Sequence, residues 1–153
     1  MEIERKWLME ENKLPDDIKT YAGHRIIQGY LNPGEDYLIR VRYNRSTQYP
    51  DNKVYKLEIK SSGLFFRDEW RYETTEENFK EIYEKCRRKI SKTRYYMSVD
   101  HLQYEIDFYD AYDFITLEIE FDSIEEAENF QAPDWFGEEI TYDTQFKNVN
   151  LAR

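Results

Sequence analysis

In the stretch EIERKWL, residues 2–8, the charged side chains Glu2, Glu4 and Lys6 occupy every second position. Successive side chains of a β-strand point to opposite faces of a sheet, so a strand here places two carboxylates and one ammonium in a row on one face. Such a row is either a solvated surface or a binding site. The stretch alone does not distinguish the two, and the rest of the chain has to decide.

The same alternation recurs along the chain and predicts eight β-strands. They are EIERKWL (2–8), GHRIIQGYL (23–31), YLIRVRY (37–43), VYKLEIKS (54–61), FRDEWRYE (66–73), KTRYYM (92–97), LQYEIDFY (102–109) and ITLEIEF (115–121). One face of these strands is apolar and carries Ile3, Ile39, Val41, Leu57, Ile59, Ile106, Phe108, Leu117, Ile119 and Phe121. The opposite face carries acids and bases together.

An antiparallel sheet often leaves one face to water, where Lys and Glu are common, and this is one interpretation of the charged face. Two features favour the other interpretation, in which that face lines the inside of a barrel. Eight strands suffice to close a sheet on itself, with helices covering its apolar outside. Bases also dominate segments 40–42 and 92–94, whereas acids dominate 2–4, 105–107 and 118–120. We therefore expect an α+β, mostly β, fold: a closed eight-stranded antiparallel barrel with a charged interior and a few helices outside.

Three helices are predicted between and after the strands. A capping-box pattern at Thr74 precedes an apolar stripe that runs at helical spacing from Phe79 to Ile90. A second capping box begins at Ser123, and a last short helix is predicted within 143–152.

Composition bounds the class of protein. With 153 residues, 35% of them charged, the chain is expected to form one domain, 1–153. The single cysteine, Cys86, excludes an intrachain disulfide and is typical of a reducing compartment. No apolar run approaches the roughly 18 residues of a membrane helix, so we expect a soluble, cytoplasmic protein with no membrane partner. The net charge of −10 argues against nucleic acid as a partner. Monomer and homodimer both remain open.

A charged barrel interior suits a particular chemistry. Arginines and lysines on converging strands match the many oxygens of a polyphosphate. Carboxylates beside them repel that ligand unless they hold a hard divalent cation, and an all-oxygen ligand set favours Mg²⁺ or Mn²⁺ over Zn²⁺. The chain has no Cys/His zinc spacing and no glycine-rich phosphate loop, so side chains would have to hold a small polyanion.

The sequence resembles the CYTH, or triphosphate tunnel metalloenzyme, superfamily, whose hallmark is an E-x-E-x-K strand at the N-terminus. Glu2, Glu4 and Lys6 match that motif. Further matching segments follow in the order of a small bacterial member, namely QGYL (28–31), RVR (40–42), LEIKSSGL (57–64), KTRY (92–95), YEIDFY (104–109), LEIEF (117–121) and WFGEEIT (135–141). The resemblance covers nearly the whole chain and implies a tunnel of eight antiparallel strands that binds a triphosphate inside.

The resemblance also implies roles for individual residues. The implied metal ligands are Glu2, Glu4, Glu118 and Glu120, to which Asp107 is added, with Glu105 as a further acid of the lining. The implied phosphate contacts are Lys6, Arg40, Arg42, Lys60, Lys92 and Arg94. Tyr30 of the QGY motif is implied to pair with Lys60 as the catalytic pair that activates water, although a packing tyrosine fits the position equally well.

Three further positions carry expectations. Arg71 departs from the family pattern, because a carboxylate is expected there, and it would weaken a second metal site or change which end of the ligand is held. Residues 146–148 resemble the family's C-terminal plug segment, which closes or gates the tunnel. Arg5 points away from the charged face, so Arg5→Ala is expected to be tolerated where Glu4→Ala is not.

The activity implied by the resemblance is metal-dependent hydrolysis of inorganic triphosphate, or of a related triphosphate compound, with release of phosphate. The alternatives are a class IV adenylyl cyclase, which makes cyclic AMP and diphosphate from ATP, and a thiamine triphosphatase. A module that binds polyphosphate or a nucleotide without turnover also stays open because of Arg71.

Overall fold

The computed structural model describes residues 1–31 and 37–153. These residues form nine β-strands and three short α-helices. The strands are β1 (Glu2–Met9), β2 (Gly23–Leu31), β3 (Tyr37–Ser46), β4 (Lys53–Ser61), β5 (Phe66–Arg67), β6 (Glu69–Thr74), β7 (Arg88–Val99), β8 (Leu102–Tyr109) and β9 (Ile115–Glu120). The helices are α1 (Glu76–Lys85), α2 (Ile124–Asn129) and α3 (Asn148–Leu151), with 3₁₀ turns at Glu11–Lys13, Ile18–Thr20 and Thr144–Phe146. No helix in these residues is both long and apolar enough to cross a membrane.

The strands form one antiparallel sheet that closes almost completely into a barrel. Their order is β5-β1-β9-β8-β7-β2-β3-β4-β6, and the first and last members follow each other in the chain with Asp68 alone between them. Because β5 pairs with β1 and β6 pairs with β4, the segment 66–74 joins both edges of the sheet. The predicted antiparallel barrel is confirmed.

The predicted strand count is wrong by one, because the alternation in 66–73 predicts a single strand and the structure has two, β5 and β6. The structure divides this segment at Asp68, whose backbone N–H donates to Ser61 Oγ (2.9 Å) and whose carbonyl accepts from the Ser61 N–H (2.9 Å). This interruption lets the chain leave the edge of β1 and pair with β4. The other seven strands lie where they were predicted, to within a few residues.

Cross-strand registers confirm the two predicted faces of the sheet, since directly opposite residues share a face. Opposed charged residues include Arg40 and Glu58, Lys6 and Glu118, and Arg94 and Asp107. Opposed apolar residues include Ile39 and Ile59, Val41 and Leu57, and Ile106 and Leu117. The charged face lies inside the barrel because the helices cover the apolar one.

Helix α1 covers β2 to β4 on the outside of the barrel, where Phe79 packs with Val41 and Cys86. The glycine of the QGY motif permits this approach, because a Cβ on Gly29 would lie 2.8 Å from both Cβ and Sγ of Cys86. The helix cap is Thr75, whose side chain accepts from the Asn78 N–H, so the predicted start at Thr74 is one residue early. The helix ends at Lys85, and the last residue of the predicted stripe, Ile90, belongs to β7 instead.

A second apolar cluster covers β1, β8 and β9. It includes Trp7, Ile119 and Ala127, and Trp7 makes an edge contact with Phe136 at a ring-centroid distance of 4.9 Å. The predicted cap of α2 is confirmed, since the Ser123 side chain accepts from the N–H of the third residue after it. The short helix predicted within 143–152 is α3.

Beyond its short ladder with β5, the edge of β1 is covered by residues 137–140. The Leu8 N–H donates to Glu138 O (2.8 Å), the Gly137 N–H donates to Leu8 O (3.0 Å) and the Ile140 N–H donates to Lys6 O (2.8 Å). A Cβ on Gly137 would lie 2.3 Å from Leu8 O, so this approach of two backbones requires glycine. The WFGEEIT segment therefore completes the wall where β5 ends.

Arg5 lies on the outer face as predicted, but its side chain is only 17% exposed. It forms a two-pronged ion pair with Glu139 (2.9 and 2.7 Å), and its Nη1 donates to the carbonyl oxygens of Ala127 and Phe130, both at 2.8 Å. The guanidinium also lies 5.0 Å from the ring centroid of Trp7. These contacts join β1 to α2 and to the segment that covers its edge.

We therefore expect Arg5→Ala to lower the free energy of unfolding by about 1–3 kcal/mol, because one carboxylate and two carbonyl groups lose their donor. Chemical denaturation followed by tryptophan fluorescence measures the change. The control is Arg45→Ala, which removes the same side chain from an exposed position on β3 and should change the stability by no more than about 0.5 kcal/mol. Equal effects of the two variants would contradict this expectation.

Candidate active site

Two cavities open into the charged interior, one at each end of the barrel. The smaller, of about 400 Å³, is hereafter the C-terminal cavity because residues between 140 and 150 form one of its walls. Its other walls include Glu4, Lys6, Tyr30, Arg40, Arg67 and Glu118. The larger, of about 840 Å³, is the distal cavity, and its lining includes Arg42, Lys56, Arg71, Arg94, Glu105 and Glu120. The remaining predicted site residues, Glu2, Lys60, Lys92 and Asp107, are buried in the interior.

Asp107 is the centre of a buried ion-pair cluster on β7 and β8. Lys92 Nζ donates to Asp107 Oδ2 at 2.7 Å, and Arg94 donates to both carboxylate oxygens at 2.7 and 2.9 Å. Burial opposes ionisation of this carboxyl, but the charges of Arg94 and Lys92 outweigh it and hold the pKa of Asp107 well below its usual range. Both oxygens of the predicted metal ligand are therefore engaged by bases, and Arg94 also pairs with Glu105.

Glu58 provides the counter-charge for the RVR segment of β3. Its carboxylate lies 3.2 Å from Arg40 Nη2 and 3.5 Å from Arg42 Nε. Burial would raise the pKa of Glu58, but the two arginine charges outweigh this and lower it. Arg40 Nε is buried without a hydrogen-bond partner in the described ranges, so this guanidinium keeps a donor that its carboxylate does not use.

Lys60 and Tyr30, the predicted catalytic pair, have other partners in the structure. Lys60 Nζ donates to both carboxylate oxygens of Glu2, at 3.1 and 3.3 Å. The Tyr30 hydroxyl accepts from the Gln28 amide at 2.9 Å, and Tyr30 lies opposite Arg40 in the β2–β3 ladder. Tyr30 lines the C-terminal cavity, whereas the Lys60 side chain is almost completely buried.

Arg67 is a site residue to which sequence reasoning gave no role. Its Nε donates to Glu2 at 3.0 Å, and its Nη2 donates to Glu4 at 3.4 Å, so one guanidinium bridges both carboxylates of the E-x-E-x-K strand. The alternation in FRDEWRYE placed Arg67 on the charged face. That β5 pairs with β1, which brings Arg67 opposite Glu2, was not evident from the sequence.

The strands β1, β9 and β8 are neighbours in the sheet and bring several carboxylates together, hereafter the acidic wall: Glu4, Glu105, Glu118 and Glu120. In register, Glu4 lies opposite Glu120, and Glu105 lies opposite Glu118. Burial raises the pKa of Glu4 well above its usual range, and the charges of Glu118 and Glu2 raise it further. Burial, with the charges of Glu2 and Glu105, also raises the pKa of Glu120 to about 7. Burial opposes ionisation of Glu118, but the charges of Lys6 and Arg94 lower its pKa, so the shortage of positive charge in the acidic wall lies at Glu4 and Glu120.

The chemistry of the acidic wall fits a hard divalent cation. Oxygen ligands suit Mg²⁺ and Mn²⁺, and a cation would remove the repulsion that raises the carboxyl pKa values. In residues 1–31 and 37–153, no three His, Cys, Asp or Glu side chains are arranged to hold a metal by themselves. In a typical magnesium site, one or two carboxylates bind the ion, and substrate phosphates and water supply the other ligands.

Besides the predicted Lys6, the C-terminal cavity is lined by Arg88 and Lys147, two cations to which the sequence gave no phosphate contact. Lys6 Nζ donates to Phe146 O at 2.8 Å, and Arg88 donates to Val149 O at 3.2 Å, so both hold the last segment of the chain. Lys147 lines the cavity, and its ammonium makes no ion pair or hydrogen bond within the described part of the chain. Burial lowers the pKa of Lys147, with a further contribution from the charge of Arg67.

Arg71, the departure from the family pattern, lies half-exposed in the distal cavity. Its Nη2 donates to Glu69 at 2.8 Å, and its Nε lies 3.6 Å from Glu58. The guanidinium thus neutralises two carboxylates at this end of the barrel. A positive side chain occupies the position where the family pattern has a carboxylate.

Comparison with known proteins gives full-length matches. The chain is 32% identical over 156 residues to an inorganic triphosphatase of Nitrosomonas europaea, covering 99% of this chain and 96% of that protein. It is 29% identical over 155 residues to an inorganic triphosphatase of Acetivibrio thermocellus, covering 99% and 93%. A crystal structure described as an inorganic triphosphatase matches with a TM-score of 0.67 and 28% identity over 99% of this chain and 94% of the other. No protein-family model matches the sequence.

The E-x-E-x-K strand forms part of an antiparallel barrel with a charged interior, as the family resemblance implies. Sequence similarity at this level runs from one end of the chain to the other, and the fold agrees with it. The chain therefore belongs to the CYTH, or triphosphate tunnel metalloenzyme, superfamily.

Proposed function

We propose that this protein hydrolyses inorganic triphosphate to diphosphate and phosphate in the C-terminal cavity, with a divalent cation bound at the acidic wall. The observation that carries the proposal is the arrangement of charges around that cavity: Glu4 and Glu118 lie on one side, and Arg40 lies on the other. A triphosphate with its cation complements both sides at once. The full-length similarity to two proteins named inorganic triphosphatase supports the same substrate.

Mg²⁺ or Mn²⁺ is the proposed cofactor, and when bound it would neutralise phosphate charge and lower the pKa of coordinated water. Glu4 and Glu118 would hold it, with Glu2 and Glu120 as the further ligands implied by the family motif. Asp107 has a different proposed role. It holds the side chains of Lys92 and Arg94 in place, and its charge opposes the burial that lowers the pKa of Lys92 to about 7, so that both bases remain available to phosphate oxygens.

The basic side chains would bind and orient the phosphate chain. Arg40 has an unused donor at Nε, Lys6 lies beside the acidic wall, and Lys147 has an ammonium without a partner among the described residues. Negative charge accumulates on the leaving diphosphate as the terminal phosphoryl group departs, and fixed cations stabilise it there. Arg42, Lys92 and Arg94 would extend the same set of contacts toward the distal cavity.

Lys60 and Tyr30 are the proposed residues for water activation. Tyr30 presents its hydroxyl from the cavity wall, where the Gln28 amide already donates to it, so the hydroxyl proton is left to donate to water or a phosphate oxygen. The Lys60 ammonium is bound to Glu2. It would contact the same site either from this position or after the Glu2 carboxylate moves.

We expect the purified protein to release phosphate from inorganic triphosphate in the presence of Mg²⁺ or Mn²⁺, and to release none when the metal is chelated. Lys60→Ala should lower kcat/KM at least about tenfold, because a charge close to the phosphates is lost. Lys13→Ala, at an exposed position outside the barrel, is the control and should behave as the wild type.

The same phosphate-release assay with ATP, thiamine triphosphate and diphosphate as substrates, together with chromatography of the ATP reaction products, tests the specificity. Preferential turnover of ATP to cyclic AMP and diphosphate would replace the proposal with a cyclase. Tight metal-dependent binding of triphosphate without any product would instead favour a binding module. No phosphate from triphosphate under any of the metal conditions would remove the proposed activity.

Two substitutions should separate metal binding from internal charge pairing. In chelator, we expect Glu4→Gln to raise the melting temperature, because it removes a buried negative charge beside Glu118, and to reduce the increase that Mg²⁺ produces. We expect Asp107→Asn to have the opposite pattern. It should cost about 3–5 kcal/mol in chelator, since Lys92 and Arg94 lose their buried counter-ion, and it should keep the increase with Mg²⁺.

Thermal denaturation with and without Mg²⁺ measures both effects. Glu125→Gln, on the exposed first turn of α2, makes the same chemical change as Glu4→Gln and is its control. Loss of the Mg²⁺ effect in Asp107→Asn, with stability in chelator unchanged, would assign Asp107 to the metal instead.

A further inference from the structure

The segment 137–148, hereafter the strap, passes from the outside of β1 to the C-terminal cavity. Its first residues pair with the edge of β1, and its backbone then continues to Phe146, whose carbonyl oxygen accepts from Lys6 Nζ. Asn148, at its end, accepts from the hydroxyl of Tyr109 at 3.3 Å. The strap therefore forms a wall of the cavity in which we place the substrate.

A chain of hydrogen bonds fixes the strap at its outer end. Arg5 donates twice to the Glu139 carboxylate, and the Thr141 hydroxyl donates to the same carboxylate at 2.6 Å. The Thr141 oxygen in turn accepts from the backbone N–H of Lys6 at 3.0 Å. The hydrogen bonds from Arg5 lower the pKa of Glu139, so this carboxylate is ionised at neutral pH.

Arg5 and Lys6 are adjacent on β1 and point to opposite faces of the barrel. Arg5 holds the strap through Glu139 on the outside, whereas Lys6 holds it through Phe146 on the inside. Residue 147, directly after that inner contact, carries the ammonium that lies in the cavity without a partner among the described residues. The strap thus connects an anchor on the outer surface to a cation that lines the cavity.

We propose that Arg5 and Glu139 are positioning residues, which do not touch the substrate but hold the strap so that Lys147 faces the C-terminal cavity. This inference rests on the proposed function for its kinetic consequence. If the anchor is removed, the strap samples positions in which Lys147 is away from the cavity, and the substrate has to order it on binding. The apparent affinity then falls by the fraction of molecules that are ready to bind.

The kinetic expectation is therefore a change in KM rather than in kcat. Glu139→Ala should raise the KM for inorganic triphosphate roughly 2- to 30-fold, as is typical of substitutions that act through another residue, with kcat within about twofold of wild type. The matched control is Glu138→Ala, because the Glu138 side chain is exposed and its backbone pairs with β1 in the same way. That variant should keep the wild-type KM.

A double-substitution cycle tests whether Glu139 acts through Lys147. Lys147→Ala should raise KM, and adding Glu139→Ala to it should produce no further increase beyond about twofold. Additive effects of the two substitutions, or a fall in kcat at unchanged KM for Glu139→Ala, would overturn the positioning role.

Hydrogen–deuterium exchange gives a readout that does not require activity. Backbone amides of residues 140–147 should exchange faster in Glu139→Ala than in Glu138→Ala, whereas amides of β7 and β8 should exchange equally in both. Equal exchange of the strap in the two variants would overturn the proposal. If the exchange differs as expected but the wild-type protein releases no phosphate from triphosphate, the result supports the anchoring role of Arg5 and Glu139 and contradicts the proposed substrate.

Discussion

Charge enclosed in a barrel has to be neutralised from within, and the interior of this protein is organised by that constraint. The side chains buried here include Glu2, Arg40, Glu58, Lys60, Lys92, Arg94 and Asp107. A buried charge without a partner is strongly destabilising, so each of these residues has an opposite charge within hydrogen-bonding distance. The pairing accounts for the lowered pKa values of Glu2, Glu58 and Asp107 and holds the buried bases beside them in place.

The charges and donors that the internal ion pairs do not use define the site. The acidic wall keeps more negative charge than its neighbours offset, while Arg40 and Lys147 keep donors that no carboxylate of residues 1–31 and 37–153 uses. A ligand that brings a cation and an anion together meets both needs, and a triphosphate with its metal has that character. Asp107 and Glu4 thus both carry a carboxyl group, but the charges around the two groups differ. Both oxygens of Asp107 accept from bases at 2.7–2.9 Å, whereas Glu4 accepts from Arg67 at 3.4 Å and lies beside the acids Glu118 and Glu2.

The outside of the barrel also contributes to the interior. Arg5 was expected to be dispensable because it points away from the charged face, and in the structure it is bonded to the segment that closes one end of the cavity. The same applies to Gly137, where a close backbone contact sets the course of that segment along β1. Residues on the apolar face of the sheet therefore determine where cavity residues lie. The division of strand residues into an apolar and a charged face does not reveal this influence.

The sequence by itself determined the strands, their two faces and the charged interior, because the side-chain period of two is a property of the extended backbone. It also determined the N-cap of α2 and, through motifs along nearly the whole chain, the family membership. Only the tertiary structure decided which charges meet. The partners of Glu2 and Arg5 lie 58 and 134 residues away, and the division of 66–73 at Asp68 closes the barrel. Ion pairing depends on register and closure between distant strands, and alternation within one strand does not specify either.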